Sequence, residues 1–214
     1  KLIFLSSDEV YSGNYINDIE ETEKTIGFGM KADILAQAEE ICENFRKNRN
    51  TDIVVLRLDH LYCIPRDRKA VNNICARMCL ECLSEGYIKA DTDHTFSLLF
   101  EKDAVEYIYK VVSTEKHEYS LYQLSSNDVV SELELAAMVQ EHMADSANIV
   151  TSSGGIGRCV LSGIRFEKEY GVHAFGDLNR NIEKMAAYMQ KHKAVFVNED
   201  KLELPWWKVL WNKW

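Results

Sequence analysis

No run of lysine and arginine occurs anywhere in the 214 residues. Lys and Arg total 25 against 34 Asp and Glu, a formal net charge of -9. Phosphate contacts need clustered positive charge, so nucleic-acid binding is set aside. No apolar run is long enough to span a bilayer, and no signal-peptide pattern opens the chain. No repeat and no low-complexity linker divides it. The six histidines, at 60, 94, 117, 142, 173 and 192, form no pair at ligand spacing, so no metal site is expected. The six cysteines are scattered, several of them inside apolar, helix-like text, rather than set in a disulfide framework. They read as reduced thiols in a cytosolic protein.

Apolar residues make up 46% and charged residues 28%, the balance of a globular chain that can bury a core as one domain, or a domain and a small lobe. KLIFLSS at 1–7 is short, apolar and bounded by polar turn text, which suits a buried strand. Ile34, Leu35, Ala38, Ile41, Cys42 and Phe45 recur at helical spacing, so an amphipathic helix is expected over 29–48. Further strands are expected at 51–58, 94–100, 118–126 and 147–152. Further helices are expected at 71–83, 104–113 and 179–192, with 152–170 irregular. Ser131 with Glu134 three residues on marks the capped start of another helix, ELELAAMVQEHM. Strands alternating with helices predict an α/β fold with a largely parallel sheet. Lys1 falls directly into the first strand, so the natural protein is expected to begin upstream.

The order of elements and their text resemble the extended short-chain dehydrogenase/reductases, the NAD-dependent epimerase/dehydratase family that works on nucleotide sugars. FLSSDEVYSG resembles the family strand that ends in Ser or Thr before a V-Y-G-like turn, with Ser7 at the catalytic hydroxyl. Asp8 and Glu9 match the acid/base pair of the 4,6-dehydratase branch. Lys31, in FGMKADILAQAEE, matches the lysine of the Y-x-x-x-K helix. VVLRLDHLYCIP resembles the next strand, which places Arg57 and His60 at the substrate. TFSLLFEKDAVEYIYKVV resembles the return to the sheet, and SLYQLSSNDVVSELELAAMV the start of the substrate lobe. The resemblance implies the later half of a Rossmann-like parallel sheet over 1–115, a small α/β substrate-type lobe over 116–200, and a tail at 201–214. It also implies NAD(P) as the cofactor, if one binds, and a nucleotide sugar as the ligand.

The family's hydride transfer needs a proton moved at the sugar oxygen, and a tyrosine does this. The tyrosine needs a nearby ammonium to ionise near neutrality, because its ordinary pKa is about 10. The lysine four residues on lies one helical turn away and supplies that charge, besides holding the cofactor ribose. Counting back from Lys31 reaches Gly27, which has no side chain. Tyr11 and Tyr15 lie close by in sequence, but Tyr11 fills the V-Y turn position. His60 stands where the family often has asparagine. Phe96 stands where it often has an arginine for the nucleotide phosphates. No G-x-x-G-x-x-G turn occurs in the sequence, and a hundred or so upstream residues with the first strands of the sheet are expected to be missing. SSGGIGR at 152–158 reads as a surface loop.

Two further motifs carry rival readings. Cys75, Cys79 and Cys82 have the C-x-x-x-C-x-x-C spacing of radical iron–sulfur enzymes. They also share one face of an expected helix, and a stripe of buried thiols is the plainer reading. Asp8 and Glu9 read either as the dehydratase pair or as solvated, cap-forming carboxylates of an inherited loop, and the second is favoured. All four tryptophans lie in LPWWKVLWNKW. Trp with Lys suits a membrane interface, so a transmembrane segment is expected after Trp214.

Two function classes follow. One is a degenerate domain kept for binding, assembly or regulation, as in bacterial exopolysaccharide machinery, with a PelD-type cyclic-di-GMP receptor as one setting. The other is an active NAD(P)-dependent nucleotide-sugar epimerase, dehydratase or reductase with a rearranged site. The missing tyrosine favours the first. A sheet edge left open by the missing strands predicts self-association or an interdomain contact there.

Overall fold

The computed structural model describes residues 1–11, 15–126, 128–143, 147–154, 157–171 and 177–197. The tryptophan-rich tail, Gly13 of the V-Y turn and part of the SSGGIGR loop lie outside them. In chain order the elements are β1 (Leu2–Ser7), α1 (Met30–Arg49), β2 (Ile53–Leu58), β3 (His60–Tyr62), α2 (Ile74–Glu85), β4 (Tyr87–Asp91), β5 (Thr95–Phe100) and α3 (Glu101–Ser113). Then come β6 (Leu121–Leu124), β7 (Val129–Ser131), α4 (Glu132–His142), β8 (Asn148–Ser152), β9 (Arg158–Cys159), α5 (Ile164–Tyr170), α6 (Leu178–Lys191) and α7 (Lys193–Val197). The chain is α/β with parallel sheets, as its alternating pattern implies.

β1, β2 and β6 form a parallel three-stranded sheet in that order. A second sheet centres on β5, which pairs in parallel with β3 and β9 and antiparallel with β7. β4 and β8 form a parallel pair. The expected core helices are present. Ser131 caps α4 as its text implies: its hydroxyl accepts from Glu134 N, and the Glu134 carboxylate accepts from Ser131 N.

The stretch 152–170 is not irregular throughout. It holds β9, which adds to β5, and α5, two turns long, which buries Phe166 under the first sheet beside Tyr107 and Tyr122. Seven residues are too few to show helical periodicity, and only packing fixes them. The short strands β3, β4 and β7 are likewise fixed by their pairing with β5 and β8.

Packing groups the chain differently from a cut at residue 115. One core joins β1 and β2 to β6, α3 and α5. The other joins α2, β4 and β5 to α4, α6 and α7. The chain thus enters the second unit at about β3, returns through α3 and β6, and leaves again at β7. Cys75, Cys79 and Cys82 lie buried in the second core beside Met78, on one face of α2. Burial raises the thiol pKa of Cys75, and that of Cys79 to about 12. Under native conditions a thiol reagent should therefore label Cys63, which is half-buried, while the five buried cysteines react only after denaturation. Rapid native labelling of two or more cysteines would contradict this.

α1 turns an unexpected face to the sheet. Of its apolar stripe Cys42 is buried and Leu35 and Ala38 are half-buried, while Ile34, Ile41 and Phe45 are 58%, 57% and 54% exposed. Ala32, Glu39 and Cys42 face inward instead. A buried arginine on β2 requires the Glu39 carboxylate there, and this turns the apolar stripe outward. β1 is an edge strand among the described residues, with Leu2 and Leu5 also about half exposed.

Candidate active-site crevice

In open α/β sheets the ligand crevice lies outside the carboxyl ends of the strands, and the candidate site is built there, where β1 and β2 end. β1 finishes at Ser7 and passes into a 3-10 turn over Asp8–Val10. Ser7 caps that turn: its Oγ accepts from Glu9 N at 3.2 Å and donates to Asp8 Oδ1 at 2.8 Å. Its hydroxyl thus holds the loop's own groups. Asp8 is buried, and Glu9 is exposed and takes the Lys31 ammonium at 2.5 Å. So Ser7, Asp8, Glu9 and Lys31 are indeed brought together.

Gly27 packs into this loop. A Cβ placed on it would lie 2.3 Å from Ala32 Cβ and 2.3 Å from the Glu9 carbonyl oxygen. Carbon atoms in contact sit about 3.5–4.0 Å apart, so no side chain fits without moving backbone. The glycine is required by close approach of the loop to α1.

Arg57 is buried and turned toward Glu39 and Tyr11. Ser6, Arg57 and Gln123 are cross-strand neighbours in one row of the first sheet. The Arg57 guanidinium lies 2.6 Å from Glu39 Oε2 through Nη2, and its Nη1 donates to the Tyr11 hydroxyl. Ser6 Oγ donates to Glu39 at 2.5 Å, and Gln123 Nε2 donates to the Tyr11 hydroxyl at 2.7 Å. Tyr11 is thereby fixed inside. Burial pushes its hydroxyl up to about 12, against the pull of Arg57. It is thus tied to the row by both Arg57 and Gln123.

His60, on β3, is the centre of the crevice. Its Nδ1 lies 2.8 Å from Asp8 Oδ2 and 3.5 Å from Asp59 Oδ1. Its ring stacks against Phe96 at 5.0 Å and meets the His94 ring at 6.0 Å. His94 in turn sets Nδ1 3.1 Å from Glu132 Oε2, and Glu132 also takes Arg77 at 2.8 Å. Asp59 is fully buried: Ser125 Oγ donates to its Oδ2 at 2.5 Å, and the His60 backbone N–H donates to Oδ1 at 2.8 Å. Burial pushes the His60 imidazole down, but Asp59 and Asp8 outweigh it and raise it to about 10. Burial pushes Asp8 up, and His60 and Ser7 more than reverse this, so Asp8 stays ionised. Burial and the Asp8 charge raise Asp59.

The imidazolium contribution to stability is full below the ordinary His pKa near 6.5 and is lost as pH rises through about 10. In chelator-treated protein the His60 ring signals should therefore stay at their charged positions from pH 6 to 8 in an NMR titration. A midpoint near 6.5 would contradict it.

Asp59, His94, Glu132 and Ser125 carry no motif of their own in the sequence. Asp59 lies between β2 and β3, His94 just before β5, Glu132 at the start of α4 and Ser125 after β6, and no local spacing joins them. A separate cavity of about 290 Å3, lined by Arg46, Asp52, His117 and Tyr119, opens at the opposite end of β2.

No protein-family model matches the chain, and no curated protein matches it in sequence. Solved structures do match. A dTDP-glucose 4,6-dehydratase from Bacillus anthracis in complex with NAD superposes with a TM-score of 0.79 at 15% identity, over 90% of this chain and 62% of that one. A UDP-glucuronic acid 4-epimerase from Bacillus cereus, in complex with UDP-glucuronic acid and NAD, gives 0.77 at 18% over 89% and 61%. A UDP-N-acetylglucosamine 4-epimerase from Bacillus cereus gives 0.73 at 16% over 88% and 63%. The chain has the fold of the NAD-dependent nucleotide-sugar epimerases and dehydratases. It spans about three fifths of the length of these structures.

Two of these structures hold NAD. Of the groups that the family resemblance assigns to that cofactor, this chain supplies Lys31, whose ammonium is held by Glu9. It has no G-x-x-G-x-x-G turn, and the packing at Gly27 leaves no space for a tyrosine. Of the cofactor groups that the resemblance assigns to this part of the fold, Lys31 is present and the tyrosine is not. No helix among the described residues is long and apolar enough to cross a membrane.

Proposed function

We propose that this chain is a catalytically degenerate domain of the nucleotide-sugar epimerase/dehydratase fold, kept for binding, assembly or regulation. The observation that carries the reading is the packing at Gly27. The position aligned with the acid/base tyrosine is closed by Ala32 and by the Glu9 carbonyl, 2.3 Å from where a Cβ would stand. Ser7 and Lys31 persist, but each is engaged by the carboxylate loop rather than aimed at a reacting oxygen. The solved structures of like fold that hold a nucleotide sugar support a UDP- or dTDP-sugar as the ligand class. The setting we propose is bacterial exopolysaccharide biosynthesis, which rests on the resemblance and on the tryptophan-rich tail at 201–214.

Thermal-shift and calorimetric titrations with NAD(H), NADP(H), and UDP- and dTDP-sugars test this reading, together with a turnover assay. The expected result is stabilisation by a nucleotide sugar with no NAD-dependent turnover. Clear turnover would establish the second reading, an active enzyme whose acid/base work has passed to another group. That reading is favoured by one observation, the titratable His60–Asp8 pair in the crevice.

The same proposal extends to the outer face of α1 and the β1 edge. Ile34, Ile41 and Phe45, with Leu2 and Leu5, leave an apolar surface next to an open strand edge. Such edges need cover. We expect the isolated chain to self-associate through this face, and Ile41→Glu with Phe45→Glu to shift it toward monomer in sedimentation velocity. A monodisperse wild-type monomer would overturn the expectation.

A further inference from the structure

Two buried carboxylates, Asp8 and Asp59, lie beside the half-buried His60 where β1 and β2 end. Asp8, Asp59 and His60 offer three ligand atoms that lie within 4.8 Å of one another. Each carboxylate is held by a serine hydroxyl on one oxygen, Asp8 Oδ1 by Ser7 and Asp59 Oδ2 by Ser125. That leaves Asp8 Oδ2 and Asp59 Oδ1 both turned to His60 Nδ1. Outer hydrogen bonds of this kind fix ligand carboxylates in metal sites. Nδ1 is itself buried, 2.8 Å from Asp8 Oδ2 and 3.5 Å from Asp59 Oδ1. Beside it His94, tethered by Nδ1 to Glu132, buries an Nε2 with no hydrogen-bond partner. Two buried carboxylates, each held from behind by a serine, face one buried imidazole nitrogen and form a site for positive charge, which the protonated His60 ring itself supplies when no ion is bound.

We propose that Asp8, Asp59 and His60 form a binding site for one divalent first-row transition-metal ion. An imidazole with two carboxylates suits Zn2+, Mn2+ or Co2+ better than Mg2+, which takes oxygen ligands and keeps its waters. The two aspartate charges match the charge of the ion, and the Nδ1 proton leaves to solvent as the nitrogen takes the metal. Three protein ligands leave coordination positions for water. The site is independent of nucleotide-sugar binding, so its test does not depend on the fate of that reading.

Chelator-treated protein is titrated with Co2+ and with Zn2+, read by calorimetry and, for Co2+, by visible absorption. The expected result is one equivalent bound with a cobalt d–d band, and at least tenfold weaker binding in His60→Gln and in Asp8→Asn. Asp59→Asn should do the same, but its side chain is fully buried, so thermal melts of all three variants establish which are folded. Mg2+ should not compete at equal concentration. Binding that is unchanged in a folded His60→Gln variant shows an adventitious ion only and overturns the proposal. So does a cobalt–thiolate band that survives this variant, since it places the ion on cysteines. The absence of stoichiometric binding to the wild-type chain overturns it as well.

Discussion

Gly27→Ala is expected to lower the stability of the chain by about 2–3 kcal/mol, the upper part of the range for forcing an extra group into a filled space. Gly27→Tyr should cost at least as much and should confer no turnover. The reason is local and steric. The first atom of any side chain would lie 2.3 Å from Ala32 Cβ and 2.3 Å from the Glu9 carbonyl oxygen. Neither neighbour is the free end of a flexible side chain: one is fixed to α1 and the other is backbone of the turn that follows β1. Relief requires the Asp8–Val10 turn and α1 to separate, which would also stretch the Lys31–Glu9 contact. The penalty therefore falls on the first atom added and depends little on the rest of the ring. Urea denaturation of the two variants against wild type reads it directly. If Gly27→Ala melts like wild type, the loop is free to move and the steric case for a lost tyrosine fails. If Gly27→Tyr gives NAD-dependent turnover, the degenerate reading fails outright.

Arg57→Ala is expected to cost about 3–5 kcal/mol, the usual penalty for leaving one member of a buried ion pair without its partner. That is a large fraction of the roughly 5–15 kcal/mol that holds a domain folded. Arg57 and Glu39 expose only 6% and 10% of their side chains. Removing the guanidinium leaves the Glu39 carboxylate buried with Ser6 alone, and removes a donor from the Tyr11 hydroxyl. The double variant Arg57→Met with Glu39→Met removes both charges and should cost clearly less than the sum of the two single changes. A binding role at the crevice predicts another pattern: a stable Arg57→Ala protein that has lost nucleotide-sugar affinity. Chemical denaturation of the three variants, beside ligand titration of those that fold, separates the two. A loss of less than about 1 kcal/mol in Arg57→Ala would mean that the pair is not what locks α1 to the sheet.

These two residues also show how far the sequence could be read. The text around Gly27 identified the position where the tyrosine is missing, because a four-residue offset from Lys31 is a purely local relation. That the gap is sealed by packing is a fact of the distance between a helix and a loop, and no local pattern carries it. Arg57 was expected at the substrate because a motif aligned it there. Its partner Glu39 lies on α1, 18 residues earlier in the chain, and the inward turn of that glutamate is what sends Ile34, Ile41 and Phe45 outward. Apolar periodicity alone assigns such a stripe to the core.

By itself the sequence determined the alternation of strands and helices, the α4 capping box, the thiol stripe of α2 and the likeness to nucleotide-sugar enzymes. Each of these depends on residues close together in the chain, where propensity and periodicity act. The tertiary structure decided the rest. It fixed where the chain passes between its two larger cores, the short elements β3, β4, β7, β9 and α5, and the meeting of Asp8, Asp59 and His60 with the ring pair of Phe96 and His94. The strands that carry these side chains are far apart in sequence. They become neighbours only where the carboxyl ends of β1 and β2 meet the amino ends of β3 and β5.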